Sequence, residues 1–386
     1  MRIDIRIPLL ILVCLGPSWR AGSAQRQGEI LERQAAQSRT VGAGNATQGM
    51  QAPVLGFVYD PNHGEVRAIL GIAGASVLGG PMAVPAGVTG VNFAPSRNYA
   101  LLARRGGGFI GLLTFQGAEE GSLIPICGAI SQPDLISFSP SGNTAALYST
   151  AAGQLQVISG LPQSPKLARI IGRDDLPDDV RFLAVADDGV TLLQGTVHSA
   201  VYLLPEGGSA RLLYRAGDLG GMAFTPRSSD VVVFDREAGT AFLLQGVNNA
   251  GAYVLLAEGL TGVGGSALVQ VNSRSAVITG TNSNNLWRID LQTLQVQNVS
   301  LPVTPRLLQP LQTSGKYLLL YQSGLPAWIV DTSGEAGAVS FVPASLQPHI
   351  RPKPIPLSTS AGLLVGPYGR PDLVNRPTFG PGCTDQ

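Results

Sequence analysis

The chain has 386 residues, with 26 Lys and Arg against 25 Asp and Glu, for a formal net charge of +1. Charged residues make up only 13% of it, about half the share usual in soluble proteins. A chain so nearly neutral has no basic surface for nucleic acid, so a nucleic-acid partner is excluded. Its 49 Gly and 28 Pro, with no triplet period, suit many short strands joined by tight turns and exclude a collagen-like or mainly helical chain.

Residues 1–24 read as a secretory signal. Arg2 and Arg6 precede a short apolar run from Ile7 to Gly16, and Gly22-Ser-Ala24 offers small residues for cleavage. A membrane span needs about 20 apolar residues, so this run is too short, and the mature chain is expected to have no transmembrane segment. Removing it takes away Arg2, Arg6, Arg20 and Asp4 and moves the net charge from +1 to −1. The expected location is therefore secreted or periplasmic. Residues 25–52, rich in Gln, Ala, Gly, Ser and Thr, read as a flexible leader.

From residue 53 a strand-rich unit recurs. Val91-Asn-Phe-Ala-Pro-Ser-Arg-Asn-Tyr99, Ile136-Ser-Phe-Ser-Pro-Ser-Gly-Asn-Thr144 and Met222-Ala-Phe-Thr-Pro-Arg-Ser-Ser-Asp230 each read as a strand, a turn and the start of a second strand. Equivalent turn positions are Pro95, Pro140, Asp187, Pro226, Val271 and Thr313, a mean spacing of about 44 residues. A repeat of this length and strand content is the signature of a β-propeller. The copies span 85–128, 129–172, 173–217, 218–259, 260–301 and 302–345.

A second landmark is an aromatic three residues before a turn, assigned to the third strand: Phe57, Tyr202, Phe242, Trp287 and Trp328. In the turns after Phe57, Trp287 and Trp328, the residues Asp60, Asp290 and Asp331 are placed to accept backbone N–H bonds two or three residues on. Residues 53–72 read as third and fourth strands and 353–366 as first and second strands, so one closing blade is shared by both termini and seals the ring. Six internal copies plus that blade make seven. Six or eight stay open, because copy 260–301 lacks the Phe-x-Pro pattern. The expected fold is all-β: a propeller of seven four-stranded blades over 53–369, with a Pro/Gly-rich tail at 370–386.

Asp331-Thr-Ser-Gly after Trp328-Ile-Val, and Phe138-Ser-Pro-Ser-Gly before Ala145-Ala-Leu-Tyr, resemble the YVTN and WD-repeat-like β-propeller proteins of bacterial envelopes. The likeness covers about residues 53–366, although no blade has the Gly-His start or Trp-Asp end of a WD repeat. It implies the fold and leaves function open, since this architecture hosts binding modules and enzymes alike.

No nucleophile elbow, phosphate loop or zinc spacing occurs, so no catalytic residue, cofactor or metal site is expected. His63, His198 and His349 are scattered, and Asp60-Pro-Asn-His-Gly reads as a turn rather than a calcium loop. Asp175, Asp178, Asp179, Asp188 and Asp218 are the carboxylates that, meeting at one channel mouth, would make a lactonase-like or glycoside-acting hydrolase. As turn residues they would do no chemistry. Outside the signal, Cys127 and Cys383 can form a disulfide in an oxidising compartment. The leading expectation is a monomeric, non-catalytic scaffold whose partner is a protein or a glycan, with the hydrolase as the alternative.

Overall fold

Each Phe-x-Pro stretch ends one strand and turns the chain into the next in the computed structural model, which describes residues 52–104, 110–207, 209–249, 251–334 and 336–344. The first sheet holds β1 (Val54–Asp60), β2 (Glu65–Ile72) and β3 (Ala75–Ala83). The second holds β4 (Val88–Phe93), β5 (Tyr99–Arg104), β6 (Gly111–Gln116) and β7 (Glu119–Pro125). The third has β8 (Leu135–Phe138), β9 (Thr144–Ser149), β10 (Gln154–Ser159) and β11 (Lys166–Gly172), and the fourth β12 (Val180–Val185), β13 (Leu192–Thr196), β14 (Ala200–Leu204) and β15 (Arg211–Arg215). The fifth has β16 (Leu219–Phe224), β17 (Val231–Asp235), β18 (Thr240–Leu244) and β19 (Tyr253–Ala257). The sixth has β20 (Ala267–Val271), β21 (Ser275–Gly280), β22 (Asn285–Asp290) and β23 (Val296–Ser300), and the seventh β24 (Gln309–Pro310), β25 (Lys316–Leu320), β26 (Ala327–Asp331) and β27 (Ala338–Val342).

All pairings follow chain order and are antiparallel, so each sheet is a meander. Seven sheets ring a central channel as a β-propeller. Helix is confined, among the described residues, to one 3-10 turn at Arg173–Asp175. The first strand of a full blade lines the channel and is half-buried, as in β4 and β8. The second strand is buried on both faces, as in β9 and β17, because a neighbouring blade covers each side. The fourth strand alternates exposed and covered, as in β11 and β23. We call the face where the inner strands begin the lower face and the face where they finish the upper face.

Seven hydrophobic clusters occupy the seven interfaces between neighbouring blades, which closes the ring among the described residues. Period-2 alternation sends Val231 and Val233 of β17 toward the fourth blade and Val232 and Phe234 toward the sixth. Close approach needs small residues at the hub. A Cβ on Gly221 of β16 would sit 2.8 Å from Val269 Cγ2 of the next inner strand, so only glycine lets these strands pack.

The six predicted copies each contain one four-stranded sheet, and the predicted turn positions fall between first and second strands, except Val271, which is the last residue of β20. The weak copy at 260–301 is a complete blade, because its turn is closed by Asn272, whose Oδ1 accepts from Arg274 N and Ser275 N at 2.8 Å, instead of by proline. The first blade corrects the sequence reading. Residues 53–83 supply three strands, and their burial identifies them as second, third and fourth, where third and fourth alone were expected. Strand β3 was missed because its Gly79-Gly-Pro81 centre breaks the apolar alternation.

Side-chain direction supports the new assignment. Leu55, Val58 and Ile69 face the seventh blade, whereas Phe57, Val66 and Ala68 face the second. Gln312 N donates to Leu55 O at 2.8 Å and Gln309 Nε2 to Phe57 O at 3.0 Å, tying the end of the last inner strand to β1. The segments 1–51 and 353–386, with the signal, most of the leader, the C-terminal closing strands and the tail, lie outside the described residues.

The aromatic landmark holds for Tyr202, Phe242, Trp287 and Trp328 on third strands, but Phe57 lies on a second strand. Phe57 is 1% exposed and stacks on Phe115 at 4.1 Å between ring centroids. Trp287 and Trp328 are only half-buried, because they lie toward the rim where the blades splay. The turn reading holds: Asp60, Asp290 and Asp331 accept from Asn62 N, Gln292 N and Ser333 N at 3.0, 2.9 and 2.9 Å. We expect Phe57→Ala to cost about 3–5 kcal/mol in chemical denaturation, and Trp328→Ala less than half of that. Equal losses would contradict the rim position of Trp328.

Candidate functional site

The five candidate carboxylates do not form one constellation. Asp175, Asp178, Asp179 and Asp218 lie at the lower face, in segments that lead into β12 and β16, while Asp188 sits at the upper face in the turn from β12 to β13. Each one with a described partner is already committed. Asp188 closes its own turn, accepting from Val190 N at 2.9 Å and Thr191 N at 2.8 Å. Asp179 pairs with Arg173 at 3.1 Å, both largely exposed. Asp178 Oδ2 lies 2.5 Å from His198 Nδ1. Asp218 accepts from Arg181 Nη1 at 3.2 Å and Arg236 Nε at 2.6 Å. Burial pushes the Asp218 carboxyl up, but these two guanidinium groups outweigh it and hold its pKa below the ordinary value.

A second polar cluster at the lower face joins the first and seventh blades, and the sequence reading missed it. Asp60 and Glu65 are each 1% exposed, yet flank the β1–β2 turn. His63 Nδ1 lies 2.9 Å from Asp60 Oδ2 and 3.2 Å from Ser323 Oγ, and Arg67 Nε donates to Glu65 Oε1 at 2.7 Å. Ligand-capable atoms of Asp60, His63 and Glu65 lie within 4.8 Å of one another. The donor types suit a divalent cation, but the Arg67 guanidinium on Glu65 puts a positive charge beside any ion held there. The alternating acidic and basic residues of Glu65-Val-Arg67 were the available signal, read only as part of a strand.

The upper face is built differently. Its turns brace one another: Tyr99 Oη donates to Gly142 O, and Asp187 accepts from Ser141 N at 2.6 Å and Arg227 N at 2.9 Å. Asp187 occupies the place that proline takes in three other turns and links the third, fourth and fifth blades. Inside this collar the channel opens into a cavity of about 440 Å³, lined by inner-strand ends that include Phe93, Phe138, Phe224, Gln270 and Asn272. Asn272 Nδ2 donates to Tyr317 Oη at 3.2 Å.

Arg97 is the single charged residue among the described residues of that lining. It is 5% exposed and sits in the β4–β5 turn with φ of 62°. Its Nη1 donates to Ala94 O at 3.0 Å, and its Nε has no hydrogen-bond partner. Burial lowers its pKa to about 9, against the opposing influence of Tyr317, so it stays cationic at neutral pH. The outer rim carries a third feature, since fourth strands expose Val77, Ile170, Leu212, Tyr253 and Phe341. Cys127 is disulfide-bonded, while Cys383, its predicted partner, and His349 lie outside the described residues.

No family model and no curated relative matches the chain. Among solved structures it is similar to a protein from Lactobacillus plantarum, with a TM-score of 0.54 and 12% identity over 76% of this chain and 97% of that one. It is also similar to a functionally unknown protein from Desulfotomaculum acetoxidans, with a TM-score of 0.51 and 11% identity over 76% of this chain and 100% of that one. Virginiamycin B lyase from Staphylococcus aureus follows at a TM-score of 0.45 and 12% identity over 78% of this chain and 98% of that one. Likeness at these identities shows the propeller fold and nothing of the chemistry.

The lowered pKa of Asp218 means its stabilising contribution is complete above the unfolded carboxylate pKa and is lost as pH falls through the folded value. Asp218→Asn should lower the unfolding free energy at pH 7 by roughly 1 kcal/mol, since the group is partly solvated. It should also flatten the fall in stability below pH about 4. An unchanged acid limb, followed by thermal melts across pH, would show that Asp218 is not coupled to folding.

Proposed function

We propose that the protein is a secreted or periplasmic, non-catalytic β-propeller that acts as a protein- or glycan-binding scaffold. The observation that carries this reading is the distribution of its carboxylates. They are divided between the two faces, with Asp188 held in its turn, Asp179 and Asp218 paired with arginines and Asp178 with His198, whereas the upper channel mouth is lined by aromatic, amide and hydroxyl groups. Hydrolysis needs an acid and a base converging on one substrate; recognition needs shaped, mostly apolar concavities with a few polar groups. Exposed Tyr253 and Phe341 on the rim support protein contact as well.

No helix among the described residues is long and apolar enough to cross a membrane. The basic and apolar start of the chain supports export, and so does the disulfide at Cys127, since such bonds persist in oxidising compartments. With residues 1–24 removed, Cys383 is its one remaining partner in the sequence. Non-reducing peptide mapping of the exported protein should recover a Cys127–Cys383 cross-linked peptide, and Cys383→Ser should expose one free thiol.

One observation favours the hydrolase alternative. The Asp178–His198 pair has the arrangement of a carboxylate orienting a general base. The deciding experiment is cross-linking of the tagged full-length chain in an exporting host, followed by mass spectrometry, beside a hydrolysis panel on the purified protein. We expect one reproducibly enriched envelope protein or glycan and no turnover. Turnover that disappears in His198→Ala would replace the scaffold with an enzyme.

A further inference from the structure

From the upper channel mouth we infer that this cavity is a binding site for a small molecule carrying a carboxylate on an apolar body, with Arg97 as the group that holds the carboxylate.

The backbone supplies the first reason. The third, fourth and seventh blades place Gly142, Gly189 and Gly315 in the turn between first and second strands, at φ of 79°, 71° and 79°. The second blade places Arg97 in this left-handed conformation, at φ of 62°; the fifth blade does the same with Arg227, at 58°, but that side chain is exposed and outside the cavity lining, so burial in the cavity is what distinguishes Arg97. A long side chain is disfavoured there, and glycine would satisfy the turn without strain. Residues held against their local preference cluster at functional sites, and here the unfavourable choice delivers a guanidinium to the cavity.

Charge supplies the second reason. A buried cation without a counter-charge is costly, and no carboxylate lines this cavity among the described residues. Arg97 is not left loose. Its Nη1 is anchored to Ala94 O of its own turn, and its buried Nε has no partner. Nε and Nη2 form the forked edge that matches a carboxylate in two parallel hydrogen bonds. The rest of the cavity sets the remainder of the ligand. Phe93 and Phe138 offer apolar contact, and Gln270 offers an amide. A volume of about 440 Å³ suits a small organic molecule. One arginine balances a carboxylate and would leave a phosphate dianion under-compensated.

The test uses the full exported chain and isothermal titration with three probes: sodium phenylacetate, neutral phenylacetamide and inorganic phosphate. Phenylacetate should bind, and the amide and phosphate should bind at least about tenfold more weakly. Arg97→Gly installs the residue that three other blades use, so it should melt at the same or a higher temperature while losing phenylacetate affinity by about tenfold or more. Should that variant fail to fold, Arg97→Asn keeps a residue that tolerates the conformation and should show the same loss. No phenylacetate binding, equal binding of the amide or of phosphate, or affinity unchanged in the variants would each overturn the assignment. A lower melting temperature in Arg97→Gly with binding retained would make Arg97 structural. Partner capture in the cross-linking experiment does not require a carboxylate at Arg97, so failure here leaves the scaffold reading intact.

Discussion

The structure depends on burial between neighbouring blades. No sheet has a core of its own: each second strand is apolar on both sides because a neighbour covers each side, and a fully buried aliphatic or aromatic side chain contributes about 1.5–3 kcal/mol. Seven interfaces filled by seven clusters mean that stability is distributed around the ring. It also means that an open ring would leave two whole faces in water. The joint between the seventh and first blades therefore has a hydrophobic cluster of its own. Leu55, Val58 and Ile69 meet Leu318 and Ile329 there, and Gln309 and Gln312 hold the backbone of β1.

Because interface burial does the work of folding, charge is released for local tasks. Most ion pairs among the described residues lie within one blade, near strand ends and turns, and Arg181–Asp218 crosses between two. Asp218 joins Arg181 of the fourth blade to Arg236 of the fifth, and Asp187 receives N–H groups from the turns on either side of its own. These contacts explain why the acidic residues that draw attention in the sequence are occupied. They are also why a low overall charge does not leave the turns unspecified.

The two faces of the ring consequently differ. The lower face gathers ion pairs, including the buried Asp60, Glu65 and Arg67 group. The upper face has a collar of turns bonded to one another around a cavity whose described lining holds a single charge. Arg97 departs from the local rules at three levels together: backbone conformation, burial and hydrogen bonding. A sequence that is otherwise consistent across levels concentrates such conflicts where function is the compensating gain.

The spacing of Pro95, Pro140, Asp187, Pro226, Val271 and Thr313 by itself determined the limits of six blades, because a turn must recur wherever an inner strand ends, while the count of seven was settled by the closed ring. Aspartates at Asp60, Asp290 and Asp331 likewise announced their turns, since a side chain two residues from its N–H partner needs nothing distant. Tertiary structure decided the rest. Whether Trp328 is core or rim depends on how far blades splay, and whether β1 is a second or third strand depends on which neighbours face it. That Arg97 rather than any aspartate is the notable group at the channel follows from a turn of one blade meeting the inner strands of others. Sequence records the order of groups along the chain, and burial and counter-charge are properties of what the closed ring brings beside them.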